Sequence, residues 1–135
     1  MKSYKLQIIT PDKTIYSGDA EQIIVRTTEG DVGILAGHEN YVAMLPSGAL
    51  KLTVNGEEKY AAIASGFVKV NYNVDVKIIA SAAEWSSDID IAWAKRSEED
   101  ALKRIENSKT DEEKSRAELK LKRAQNRISV YEAHH

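Results

Sequence analysis

The strongest constraint on this chain is a change of composition near residue 87. All seven glycines and both prolines of the 135-residue sequence lie before this point, and the stretch from Asp88 onward contains neither. That stretch is rich in Ala, Leu, Lys, Arg and Glu, which favour helices, whereas the residues before it are often β-branched or aromatic and favour strands. The chain is therefore expected to form a sheet first and helices afterwards.

The helical part is predicted to be two helices. The segment 107–110, Asn-Ser-Lys-Thr, interrupts the helical pattern, and Thr110 with Glu113 makes a capping box at the start of the second helix. Ser87 or Asp88 is the expected N-cap of the first helix. Narrow apolar stripes predict a weakly held hairpin, and they consist of Ile91, Ala94, Ala101, Leu102 and Ile105 on the first helix and Ala117, Leu121, Ala124, Ile128 and Tyr131 on the second.

A basic stripe runs beside the apolar stripe of the second helix. Its residues follow a spacing of four, three and four: Arg116, Lys120, Arg123 and Arg127. Such spacing places the side chains along one edge of a helix. The edge is either an ordinary solvated face or a surface that binds phosphate or carboxylate groups through forked donors.

The part before residue 84 has the pattern of a small all-β domain. Short apolar segments alternate with turn residues about every ten residues, and Asn55-Gly56 is a strong hairpin signal. Tyr60–Ile63 and Gly66–Val70 are predicted as separate strands. The expected fold is a flattened β-sandwich or barrel of about ten strands, residues 1–84, followed by an α-helical hairpin, residues 85–135.

Composition limits the classes of function. The net charge is −2 and there is no cysteine, so the sequence indicates neither a nucleic-acid partner nor disulfide or thiol chemistry. No apolar run is long enough for a transmembrane helix, so a soluble intracellular protein without direct membrane insertion is expected. His38 is the only histidine away from the C-terminus, and no metal site or set of catalytic residues is predicted.

Several segments together closely resemble the epsilon subunit of bacterial F-type ATP synthases. They are Gly30–His38 (GDVGILAGH), Pro46-Ser47-Gly48, Gly66-Phe67-Val68 and, at the end of the helical part, Lys122–Ile128 (KRAQNRI). The resemblance implies a non-catalytic rotor subunit at the cytoplasmic face of the bacterial cell membrane. It implies a β-sandwich that binds the gamma subunit and the c-subunit ring, and a mobile hairpin whose basic residues meet the alpha and beta catalytic subunits and block ATP hydrolysis.

The resemblance also implies a regulatory ATP site, with or without Mg²⁺, of the type found in Bacillus-like members. The matching residues here are Glu84, Ile89, Asp90 and Ala94, together with Arg123 and Arg127 of the second helix. Two arginines of that family pattern are replaced in this chain, one by Trp93 and one by Asp100. Trp93 is either a packing residue or a platform for the adenine ring.

Two other functions remain open at this point. The chain could be a free-standing ATP-binding sensor that uses the same hairpin outside any complex. It could also be a purely structural stalk subunit whose hairpin does not switch. Co-purification with the gamma subunit, and the response of ATP hydrolysis to changes in the hairpin, separate these alternatives.

Overall fold

The computed structural model describes residues 2–134. The chain divides into a first compact unit that ends at Trp85 and a second that begins at Ser86. The division falls one residue after the boundary expected from the sequence. The first unit is the β-sandwich and the second is the helical hairpin.

The β-sandwich is built from eight strands within the described residues: β1 Tyr4–Ile9, β2 Thr14–Ala20, β3 Gln22–Thr27, β4 Gly30–Leu35, β5 Tyr41–Leu45, β6 Gly48–Val54, β7 Glu57–Asn71 and β8 Asp75–Trp85. They hydrogen-bond in the order β2-β1-β8-β7-β6-β3-β4, and β5 also pairs with β7. The β1–β8 pair is parallel and the others are antiparallel. The all-β fold expected for this part of the chain is confirmed.

One reason that the strand number is lower than the ten or so expected is that β7 is continuous through Gly66. Strand β6 pairs with the first half of β7 and β5 with the second half, so two consecutive partners lie along one long strand. The sequence signal at Gly66 is that of a strand end, but the structural reason for this glycine is close backbone approach. A Cβ added at Gly66 would lie 2.0 Å from the carbonyl oxygen of Ile79.

The backbone of β7 bends one residue before Gly66. Ser65 has φ +49°, in the left-handed region that non-glycine residues rarely adopt. The hydroxyl of Ser81 on β8 donates to the carbonyl oxygen of Ala64 at 2.9 Å, so this polar group is satisfied beside the bend. The bend lies opposite the break between β5 and β6 at Pro46-Ser47.

Large aliphatic side chains fill the sandwich. Alternating residues of β1, Leu6 and Ile8, are fully buried, as the period of two in this strand predicts. The other fully buried large side chains are Ile23, Val25, Ile34, Leu50, Leu52, Val68 and Ile78. One side-chain hydrogen bond links β1 to β4, which are not neighbours in the sheet: Tyr4 donates to the carbonyl oxygen of Ile34 at 2.7 Å. Burial raises the pKa of the Tyr4 hydroxyl, which stays protonated and remains a donor.

The β6–β7 hairpin turns at Asn55-Gly56, as predicted. Both residues have positive φ, +52° and +76°, which is the signature of a two-residue type I′ turn. This turn fixes the register in which Val54 faces Glu57. The register in turn places the inward side chains of β6 in the core.

The second unit contains a short 3-10 turn, Ser86–Asp88, and two helices, α1 Ile91–Glu106 and α2 Asp111–His134. The N-cap predicted from the sequence is wrong for α1 and correct for α2. The prediction for α1 was wrong, because Ser87 and Asp88 lie in the 3-10 turn and Asp90 is the cap, its carboxylate accepting from the Trp93 amide at 3.0 Å. The cap of α2 is confirmed, since the Glu113 amide donates to Thr110 Oγ1 at 3.1 Å.

The two helices pack side by side, and the buried residues of this unit are small. Alanines at a spacing of seven, Ala94 and Ala101 on α1 and Ala117 and Ala124 on α2, are at most 3% exposed. Ile89 and Val130 are the larger buried residues of the unit. The predicted stripe was wrong at Leu102, which is 50% exposed.

Candidate functional site

One outward face of the β-sandwich carries a row of apolar side chains. Across the β5–β7 pair, Met44 lies opposite Phe67. Across the β7–β8 pair, Phe67 lies opposite Ile79. Across the β8–β1 pair, Ile79 lies opposite Ile9. Directly opposed residues point to the same face of a sheet, so these four side chains form one line across four strands, here called the apolar row. Met44 is 62% exposed and Ile79 is 40% exposed.

The neighbouring row on the same face is largely basic. Val42, which is 64% exposed, lies opposite Lys69, and Lys69 lies opposite Lys77. Contiguous exposed apolar side chains with a polar rim are typical of surfaces that bind another protein. Sequence reasoning missed the apolar row, because it depends on the register between strands that are distant in the chain.

The residues predicted to surround a nucleotide have different structural roles. Ile89 and Ala94 are buried, at 5% and 0% exposure. The Asp90 carboxylate is the N-cap of α1. Of the two predicted arginines of α2, Arg123 is exposed and Arg127 is half-buried.

The sixth predicted residue, Glu84, lies in the first unit. It is near the end of β8, opposite Ala62 of β7, and is half-buried. The positions of these six residues do not establish whether a nucleotide binds, and the nucleotide site stays a prediction.

Trp93 is an exposed aromatic residue in the first turn of α1. Trp93 is 55% exposed, and the Arg96 guanidinium lies 5.6 Å from the centre of its ring. That distance allows a cation–π interaction, which at an exposed site is worth about 0.5–1 kcal/mol. One face of the Trp93 ring therefore lies near a cation of its own helix.

Asp100 is at the centre of a charged cluster on the hairpin. Its Oδ2 atom accepts from Lys120 Nζ of α2 and lies 2.9 Å from Arg104 Nε of its own helix. The hydrogen bond from Lys120, supported by the charge of Arg104, lowers the pKa of Asp100. These three residues are here called the Asp100 cluster.

At least two residues of the basic stripe of α2 have anionic neighbours. Lys120 is in the Asp100 cluster, and Arg116 lies 3.5 Å from Glu112 one turn earlier. Beside the interhelical turn, an open cavity of about 400 Å³ has Arg104, Arg116 and Lys120 in its lining, together with Glu113. Three cations therefore converge at the end of the hairpin where α1 stops and α2 starts.

His38 lies in the loop between β4 and β5. Its backbone amide donates to the carbonyl oxygen of Leu35 at 3.2 Å, and its ring packs edge-on against Tyr41 with centroids 5.5 Å apart. Gly37 before it has φ +85°, which glycine adopts without strain. These contacts shape the loop.

Two other kinds of site are absent from residues 2–134. No group of three or more His, Asp or Glu side chains there is arranged to hold a metal ion. Neither α1 nor α2 has an apolar stretch of the length needed to span a membrane.

Both units match known protein families. Residues 3–86 match the family described as ATP synthase, Delta/Epsilon chain, beta-sandwich domain. Residues 87–132 match the family described as ATP synthase, Delta/Epsilon chain, long alpha-helix domain.

Individual relatives agree with these matches over nearly the full length. The chain is 45% identical over 130 residues to the ATP synthase epsilon chain of Ruminococcus albus, covering 96% of this chain and 97% of that one. It is 41% identical to the epsilon chain of Bacillus pumilus, with 96% and 98% covered. Among solved structures it resembles a chain of the Euglena gracilis mitochondrial ATP synthase OSCP/F1/c-ring assembly, with a TM-score of 0.81, 27% identity, and coverage of 98% of this chain and 82% of that chain.

Proposed function

The chain belongs to the delta/epsilon family of ATP synthase, and on that premise we propose that it is the epsilon subunit of the central stalk, a rotor component that joins the catalytic head to the c-ring. In this proposal the β-sandwich is the attachment module and the hairpin is the regulatory module. The partners are the gamma subunit, the c-subunit ring and, for the hairpin, the alpha and beta subunits. The relatives named epsilon chain and the Euglena assembly with its c-ring support this assignment.

The apolar row carries the proposal for attachment. Met44 and Ile79 are exposed apolar side chains of one row that crosses four strands. Contiguous exposed apolar surface of this kind is typical of a protein–protein interface and is uncommon on a monomer. The basic row beside it, with Lys69 and Lys77, offers charge that can orient an anionic partner surface. We assign this face to the gamma subunit.

The attachment is tested by placing a charge in the apolar row. Met44→Asp and Ile79→Asp are expected to weaken co-purification with the gamma subunit by about tenfold or more each, because an unpaired carboxylate is buried at the interface. Val74→Asp is the matched control, since Val74 is 69% exposed but lies in the β7–β8 turn. Equal gamma binding by all three variants would count against the assignment.

The hairpin carries the proposed regulation. In an extended state the basic stripe of α2 would meet acidic residues of the catalytic subunits and so inhibit ATP hydrolysis. Long side chains such as Arg116 and Arg123, both exposed, can exchange one anionic neighbour for another at small cost, since exposed ion pairs contribute only about 0–1 kcal/mol.

The regulation is tested in the assembled complex with the double substitution Arg116→Glu and Arg123→Glu. We expect a higher rate of ATP hydrolysis, because the acidic partner surface now faces like charges. Lys95→Glu is the control, as Lys95 is exposed on α1 outside the stripe. If the double variant hydrolyses ATP at the wild-type rate, the hairpin is a structural element that does not switch.

The remaining features of the proposal follow from the complex. The chain would sit peripherally at the cytoplasmic face of the bacterial cell membrane, held there by its partners. No catalytic step is assigned to its own residues, since ATP turnover belongs to the alpha and beta subunits.

A further inference from the structure

The Asp100 cluster links the two helices through a single carboxylate. One oxygen of Asp100 takes a hydrogen bond from Lys120 on α2 and lies 2.9 Å from Arg104 on α1. Arg104 is four residues further along the same helix and can stay near Asp100 whether the hairpin is open or closed. Lys120 is on the other helix, so its contact with Asp100 exists only when α1 and α2 are packed together.

Apart from Ile89 and Val130, the buried apolar side chains of the second unit are small. Four of its buried side chains are alanines, each of which buries only one methyl group. When the apolar contribution is this small, charged contacts between the helices account for a larger share of the closing free energy. The sign of the charge at position 100 therefore matters more than it would in a leucine-rich hairpin.

The same position bears on the nucleotide site implied by the sequence resemblance. An arginine at position 100 would stand beside Arg104 and Lys120, and three converging cations repel one another unless an anion lies among them. A bound polyphosphate is one such anion. In this chain the Asp100 side chain itself supplies the negative charge between Arg104 and Lys120. A phosphate group there would be repelled by the Asp100 carboxylate, and both cations are already paired with it.

We propose that Asp100 is a built-in anion that closes the hairpin without a nucleotide, and that it competes with the acidic surface of the catalytic subunits for Lys120. The first half concerns the chain alone. The second half rests on the proposed function, because the acidic competitor belongs to the partner subunits. Closure is then set by the affinity of Lys120 for two carboxylate sources, one inside the chain and one outside.

The first half is tested on the isolated full-length chain by hydrogen exchange of α2 amides. Asp100→Asn is expected to raise the exchange rate about two- to fivefold, the range of a partly exposed ion pair. Asp100→Arg is expected to raise it further, and pyrophosphate or Mg-ATP should restore protection in that variant alone. Glu99→Arg is the control for charge reversal, because Glu99 is exposed on the same helix one residue away.

The wild-type response to nucleotide decides this half of the proposal. We expect millimolar Mg-ATP to change wild-type exchange by less than about twofold, because the closed hairpin already contains its anion. If Mg-ATP protected wild-type α2 tenfold or more, and Asp100→Asn exchanged at the wild-type rate, the proposal would be overturned in favour of the ATP-sensing hairpin.

The second half is tested by the ATP hydrolysis rate of the assembled complex. Asp100→Asn should lower the rate, because Lys120 is released to the acidic partner surface, and Asp100→Asn with Lys120→Met should return it toward that of Lys120→Met alone. An unchanged rate with Asp100→Asn, in a complex where the Arg116→Glu and Arg123→Glu variant still accelerates hydrolysis, would refute the competition and leave the proposed function intact. An unchanged rate in both would refute the regulatory function itself.

Discussion

The two units of the chain bury different kinds of side chain. The β-sandwich encloses large aliphatic residues such as Leu6, Ile34 and Leu50, all fully buried, whereas the hairpin buries mainly alanines. A buried leucine contributes about 2–5 kcal/mol against truncation, while a buried alanine has only one methyl group to lose. The difference indicates that the β-sandwich is held together by more apolar burial than the hairpin, so opening the hairpin should cost less free energy.

The largest expected effect comes from the sandwich. Gly66→Ala should destabilise it by about 3 kcal/mol or more in urea unfolding, because the new Cβ would meet the Ile79 carbonyl oxygen at 2.0 Å. Gly33→Ala is the control, since its Cβ would approach only the Gln22 side chain, at 3.6 Å. Two indistinguishable urea midpoints would mean that β7 and β8 can separate here without cost.

A smaller effect is expected from overfilling the hairpin. Ala101→Leu should destabilise it by about 1–3 kcal/mol, because Ala101 is fully buried and has no room for a larger side chain. The measurement is hydrogen exchange of α1 and α2 amides, with β-sandwich amides as internal reference. Ala92→Leu, at an exposed position of the same helix, is expected to have no such effect; equal exchange in the two variants would show that the alanines are not closely packed.

The start of α2 should contribute less. Thr110→Ala removes the acceptor of the Glu113 amide and is expected to cost about 1 kcal/mol. Thr110→Ser keeps the acceptor oxygen and should be close to neutral. Thermal unfolding followed by circular dichroism separates the two, and a Ser variant as unstable as the Ala variant would shift the explanation from the cap to the threonine methyl group.

The smallest effect is a pH dependence. Lys120, and then Arg104, lower the pKa of Asp100 in the closed hairpin, so the contribution of Asp100 to closure is present above its ordinary pKa and is lost as the pH falls through the lowered value. Lys120→Met should therefore raise the Asp100 pKa toward the ordinary value of an aspartate. Carboxyl chemical shifts measured by NMR against pH report this, and an unchanged midpoint would show that Lys120 is not the partner in solution.

Local signals in the sequence were reliable where the chemistry is local. The Asn55-Gly56 turn and the Thr110–Glu113 capping box each depend on residues that are close in the chain, and both are present. Gly66 was misleading because glycine marks a strand end and a close backbone contact equally well. The N-cap of α1 was expected at Ser87 or Asp88 but is Asp90, because an intervening 3-10 turn, which no short sequence pattern indicates, occupies those two residues.

The candidate sites were less accessible to sequence reasoning. The apolar row joins Ile9, Met44, Phe67 and Ile79, which come from four strands, so only the register of the sheet brings them together. The partner of Asp100 is twenty residues away and depends on how the two helices align. The resemblance identified the family, but the sequence did not show that Asp100, which replaces an arginine of the family pattern, pairs with Lys120.

The unbroken course of β7 has a mechanical consequence. Because Gly66 permits close approach to β8, the two strands stay paired from Ala61 to Asn71. On the opposite edge of β7, β6 pairs with the first half and β5 with the second half. A torque applied at the outer face is then resisted in shear by many backbone bonds at once instead of being concentrated in a loop.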